Sequence, residues 1–142
     1  MRKSSKRVFI SYASADGEPA RKVAQHLSEA GFQIWDPERE ILPGADWTST
    51  LKKGLDTAFA VIVFISPDAI ESRSVLREIE YALSARHLRG RLIPVVLKPT
   101  EEAPWILEVL HPVPYEGPIK TVQQIIRLLN QPGNVPQFKR TA

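Results

Sequence analysis

Residues 60–65, AVIVFI, carry no polar side chain, and four of the six are β-branched. The run is too short for a buried helix and reads as a strand covered on both faces. Such a strand needs helices above and below it, which admits few folds. Ser66-Pro67 stops the strand. A helix follows, with Ser72 as its cap, since a serine oxygen there accepts a free N–H of the first turn. Val75, Ile79, Ala82, Leu83 and Arg86 recur at helical spacing and define its inward face. Glu78 lies roughly 100° from the centre of that face and Glu80 a similar angle to the other side. Both carboxyls are therefore expected at the edge of the buried stripe, half desolvated. Glu78 is nearer the helix start, and so nearer the carboxyl edge of the sheet, where ligands bind in open α/β folds.

The same alternation runs through the chain. Strands are read at Arg7–Tyr12, Phe32–Trp35, Ala60–Ile65, Arg91–Leu97 and Pro112–Tyr115. Between them come a helix from about Asp16 to Ala30, with Asp16 or Ser14 as cap and Gly31 as stop, and a helix from Asp46 to Thr57. The central helix ends at Gly90. A short helical segment lies around Trp105, and a last helix spans Pro118–Leu129. Gly54 is read as allowing close approach of a neighbour, and Pro94 as an unpaired or bulged strand position. Residues 36–45, DPEREILPGA, form a long loop that is charged and broken by proline and glycine, the kind that tends to be functional or mobile. Five β-α repeats imply an α/β fold, a three-layer αβα sandwich on a five-stranded parallel sheet. The flavodoxin-like strand order 2-1-3-4-5 is the expected one, with its switch point between the first and third strands. The turns at Tyr12–Asp16 and Ser66–Ser72, the long loop and Glu78 would surround that crevice.

Composition closes off other classes. With no cysteine there are no disulfides, thiol nucleophiles or thiolate metal sites, which fits a reducing, cytoplasmic setting. His26, His87 and His111 stand on separate elements and are read as surface or structural residues, so no metal is expected. No apolar run is long enough to span a membrane, and the apolar part of the N-terminus is too short for a signal peptide. The net charge of +3 is misleading, because Arg2, Lys3, Lys6, Arg7, Lys139 and Arg140 lie at the ends. Without those six, 13 of the 19 basic residues face 16 acidic ones, a net charge of −3. That argues against a nucleic-acid partner. Residues 1–6 are read as a basic tail, 7–130 as the domain, and 131–142 as a linker or tail with room for a further domain after it. There is no acidic pair after the first strand and no aspartate at the tip of the third, which disfavours a phospho-accepting receiver. Glycine-rich dinucleotide and P-loop signatures are missing too.

Four pieces in order, FISYASAD, IWDPEREILPGADW, VIVFISPDAIES and SVLREIEYAL, make the chain resemble a Toll/interleukin-receptor (TIR) domain of the bacterial type over about residues 7–130. The resemblance implies an enzyme that hydrolyses or cyclises NAD+ by breaking its nicotinamide–ribose bond, with NAD+ as substrate and no cofactor. It also implies self-association with other TIR domains, a defence or stress-signalling role, and an active site completed by a neighbour's long loop. The family's S-x-W-x-x-x-E pattern reads here as Ser72 to Glu78. Glu78 takes the catalytic position, and Ser74 stands where many members have tryptophan.

Other substrate-binding candidates carry two readings each. Ala13 and Ser14 offer N–H groups and a hydroxyl, or form an ordinary capped turn. Asp36 binds a ribose hydroxyl, or caps its turn. Trp47 stacks on a base, or packs in the core as the inner face of its helix. Trp105 lies near a partner's site, or packs in the core. The rival reading of the whole chain is a non-catalytic TIR adaptor that recruits other TIR domains through the 36–45 loop.

Overall fold

The structure, a computed structural model, describes residues 6–101 and 105–131. The expected basic tail, Lys6 apart, and the expected 131–142 linker, Gln131 apart, lie outside the described residues. Five strands, β1 (Arg7–Ser11), β2 (Gln33–Trp35), β3 (Ala60–Ile65), β4 (Leu92–Val96) and β5 (Val113–Pro114), form one sheet in the order β2-β1-β3-β4-β5. All four pairings are parallel, so the flavodoxin-like topology read from the sequence holds. Every residue of β3 is buried, as its composition requires.

The two-residue period of the strands sorts the core into two layers. Phe9, Val61, Val63 and Ile65 pack with α3 (Trp47–Asp56) and α5 (Arg73–Ser84), contributing beside Leu55, Val75, Ile79 and Ala82. Val8, Ile10, Ile62, Phe64 and Ile93 pack on the other face with α1 (Gly17–Glu29) and α7 (Pro118–Leu129), beside Val23, Leu27, Val122 and Ile125. Trp35 is clasped between these supports. Its ring stacks on Phe9 at 5.1 Å between centroids, and a Cβ on Gly54 would come within 2.7 Å of it. The glycine is what lets α3 approach.

Pro94 sits inside β4 for a reason visible in the ladder. Arg91 C=O and Leu97 N–H both bond to β3, so alternation turns the Pro94 nitrogen toward β5, whose pairing begins only at Val95. The missing donor falls on an unpaired position, as expected.

Three local readings change. The 36–45 loop contains a one-turn helix, α2 (Pro37–Glu40), and a second, α4 (Pro67–Ile70), follows β3. Both have proline at the first helical position after an Asp or Ser cap, a pairing that starts a helix as well as stopping a strand. The central helix ends at Ser84 rather than Gly90, with a 3-10 turn at Arg86–Leu88 between. Its buried stripe is accordingly Val75, Glu78, Ile79 and Ala82, while Leu83 is 42% exposed and Arg86 lies beyond it. Finally, Asp16 occupies the N-cap position of α1 without capping it. Its carboxylate serves another partner.

Candidate functional site

Ser11 ends β1, and the strand's alternation turns it to the same face as Phe9, toward α5. Ser72 caps α5 by accepting the Val75 N–H at 3.2 Å, which sets Glu78 one and a half turns into the helix, over that strand end. The Ser11 hydroxyl donates to Glu78 Oε1 at 2.5 Å. The Ser74 hydroxyl, one turn earlier on the same helix, donates to Oε2 at 3.0 Å. Glu78 is only 2% exposed and Ser11 fully buried. Burial outweighs the two hydroxyls, which favour the charged form, and the carboxyl is pushed up to about 7. Glu80 is exposed. The expected half-buried symmetry of the two glutamates is thus broken, because the stripe centres one position closer to Glu78 than the sequence face placed it.

A second buried group lies on the opposite side of β1. Tyr12 Oη donates to both oxygens of Asp36, at 2.9 and 3.0 Å, and the Glu38 N–H bonds Asp36 Oδ1 at 3.0 Å. Asp36 therefore caps α2, and it is 3% exposed. Burial and the neighbouring carboxylate raise the Tyr12 phenol above its ordinary value. Ser14, exposed, donates to Glu38 Oε2 at 2.9 Å. Between the β1 and β3 tips, Ser66 Oγ donates to Asp16 Oδ2 at 2.5 Å and accepts the Ala69 N–H at 3.1 Å. That bond ties together the two turns at the switch point and explains why Asp16 leaves α1 uncapped.

The sequence candidates therefore separate. Glu78 and Ser74 come together. Ser74, in place of an aromatic surface, supplies a hydroxyl to the carboxyl. Asp36 and Ser14 belong to the neighbouring network around Tyr12 and Glu38. Ala13 is buried in the same apolar layer as Val75 and Ile79, and its carbonyl accepts the Asp16 N–H at 2.8 Å. Trp47 opens α3 at 45% exposure, so the core-packing reading of it is wrong. The helix's inward face begins at Leu51, which packs partly buried against the core, and is fully buried only at Gly54 and Leu55. Trp105 is 71% exposed, and core packing fails for it too. Leu42, at 67%, joins Trp47 on a stretch, 42–49, that is exposed throughout. His26 lies 3.5 Å from Glu29 and His87 Nε2 3.0 Å from the Leu55 carbonyl. Among the described residues no cluster of three or more metal-ligating side chains occurs, and no helix is long and apolar enough to cross a membrane.

Sequence reasoning missed Ser11, and placed Tyr12 and Ser66 only as the starts of the two turns at the switch point. A signal was available. A polar residue at the carboxyl end of an otherwise apolar central strand faces either a helix or the crevice, and Ser11, the last residue of β1, and Tyr12 just after it lie toward opposite faces of the sheet.

Comparison with known proteins adds the following. The family model described as TIR domain matches residues 8–129. An NAD(+) hydrolase, TirS, from Staphylococcus aureus is 33% identical over 66 residues, 46% of this chain and 24% of that protein. A 2' cyclic ADP-D-ribose synthase, BtTIR, from Bacteroides thetaiotaomicron is 31% identical over 97 residues, 66% of this chain and 33% of that one. A stimulator of interferon genes protein from Magallana gigas is 28% identical over 129 residues, 87% of this chain and 31% of that protein. The chain thus spans a third or less of the length of these relatives. The crystal structure of the TIR domain of the Toll-related receptor TRR-2 from Hydra magnipapillata superimposes with a TM-score of 0.72 at 22% identity, covering 87% of this chain and 98% of that one.

Proposed function

The chain belongs to the TIR domain family, and we propose that it is an NAD+ nucleosidase that releases nicotinamide and leaves ADP-ribose or a cyclic ADP-ribose. One observation carries the reading. A buried carboxyl, Glu78, is held by two hydroxyls at the carboxyl edge of the sheet, beside the point where strand order reverses. A carboxyl in that position with its proton affinity moved to about 7 is a functional-site candidate on physical grounds. The two relatives whose names describe NAD+ hydrolysis and cyclic ADP-ribose synthesis support the substrate class.

The chemistry needs one carboxylate. In NAD+ the C1′–N bond joins ribose to a positively charged pyridinium. When it breaks, the electron pair returns to the ring nitrogen and nicotinamide leaves neutral, so no acid is required at the leaving group. That differs from the two-carboxyl glycosidases. Positive charge passes to C1′ and the ring oxygen of ribose, where an ionised Glu78 in a water-poor site stabilises it. Water attacking C1′ and losing a proton gives ADP-ribose. Attack by a nucleophile of the adenosine half gives a cyclic product.

The exposed Leu42 and Trp47 support two further elements of the reading. The segment seats against another copy of the domain, and activity depends on that assembly. We propose a cytoplasmic defence or stress-signalling role for it. The same exposure favours the second reading, a non-catalytic interaction module. Incubating the chain with NAD+ at high concentration and following free nicotinamide separates them. Glu78→Ala is expected to reduce release by about 10²–10³-fold, with Glu80→Ala close to wild type. Equal release from wild type and Glu78→Ala leaves the interaction module as the function.

A further inference from the structure

The two hydroxyls on Glu78 are not equivalent. Ser11 is fully buried in β1, its Cα paired with Val63 of β3, and its hydroxyl has the shorter bond. Its hydroxyl is closed off from solvent between the sheet and α5. Ser74 is half-buried, in the first turn of α5, with the longer bond, and a rotation about its χ1 withdraws the hydroxyl without moving backbone. We propose that Ser11 is a positioning residue that fixes Glu78 Oε1, and that Ser74 holds Oε2 only until a ribose hydroxyl of the substrate takes its place.

This rests on the reading of Glu78 as the NAD+-cleaving carboxylate and says which of its oxygens meets the sugar. An O–H from ribose replaces an O–H from Ser74, so the carboxylate keeps its count of donors through the exchange and no buried acceptor is orphaned. Ser11 prevents the side chain from following the substrate outward. Among the described residues, burial and these two hydroxyls are what act on the Glu78 carboxyl, Ser11 more strongly than Ser74, and no charged side chain of a packed element takes part. Glu80 and Arg77 of the same helix are exposed.

The test reads the carboxyl itself as well as turnover. In ¹³C NMR titrations of the Glu78 carboxyl, assigned by its loss in Glu78→Gln, Ser11→Ala is expected to raise the midpoint by about one pH unit. Ser74→Ala is expected to raise it less, and Ser74→Thr to restore the wild-type value. Ser11→Cys, nearly isosteric and a weaker donor, gives an intermediate midpoint and covers the case in which the alanine variant folds poorly. ADP-ribose added to wild type moves the Ser74 Cβ resonance and leaves Ser11 unchanged. In turnover at pH 7, Ser11→Ala lowers kcat by about fivefold with KM unchanged, as the ionised fraction falls. Ser74→Ala lowers KM, because the ribose hydroxyl no longer has to displace a donor from Oε2. A midpoint shift in Ser74→Ala equal to or larger than that in Ser11→Ala, an ADP-ribose response at Ser11, or none at Ser74 overturns the assignment. Absence of nicotinamide release by wild type is a different failure, that of the functional reading, and leaves the titration order to be read by itself.

Discussion

Two regions of this domain invert the usual placement of side chains, in opposite directions. At the β1–α5 contact a carboxyl lies inside, 2% exposed, with a hydroxyl on each oxygen. Across 42–49 a leucine and a tryptophan lie outside, in a stretch that buries nothing. A buried acid is costly unless its partners are in place, and exposed large apolar groups leave transfer free energy ungained. Neither arrangement helps the fold, which is complete without them in its two apolar layers. On the proposed reading, the first region gives up stability for chemistry within one chain, and the second is a surface that another molecule covers.

If that contrast is right, the first region should cost the most where its charge is forced on. The folded state holds the Glu78 proton up to about 7, against 4.5 as the ordinary value. The folded protein therefore binds more protons than the unfolded chain between those values, and stability falls as pH rises through the window. The loss approaches about 3 kcal/mol by pH 8. Glu78→Gln should abolish this slope in urea melts taken from pH 4.5 to 8, and a variant that keeps the wild-type slope would place the titration elsewhere.

The base of the second region is built differently from its crown, and a smaller effect is expected there. Asp36 caps α2 and accepts the buried Tyr12 hydroxyl. Asp36→Ala should cost about 2 kcal/mol of unfolding free energy. The crown should cost almost nothing. Leu42→Ser and Trp47→Ser are expected to change stability by no more than about 0.5 kcal/mol, yet to flatten the rise of specific activity with protein concentration. A large stability loss in either would mean that the stretch is packed, and the contrast would fail.

How much of this the sequence disclosed follows from the period of each element. β3 was legible because an all-apolar, β-branched run has one reading, and the strand order followed from five β-α repeats. Glu78 was picked out by its place in a helix after that strand. Its depth was not, because the expected face was centred with Leu83 and Arg86, of which the first is exposed and the second lies past Ser84, the end of the helix. Ser11 escaped notice because its role lies in a contact 67 residues away in sequence, which no local pattern records. The core reading of Trp47 failed because helical spacing aligns it with Leu51 and Leu55, while α3 buries residues only toward its far end, at Gly54 and Leu55.

The pH dependence of nicotinamide release tests the central claim most directly, because stability and catalysis pull Glu78 in opposite directions. Measured at saturating NAD+ and fixed high protein concentration between pH 5.5 and 8.5, wild-type release should climb with a midpoint near 7 as the carboxyl ionises, and Glu78→Gln should show neither the rate nor the climb. A wild-type profile flat across that range, or a Glu78→Gln profile that matches it, would contradict the account.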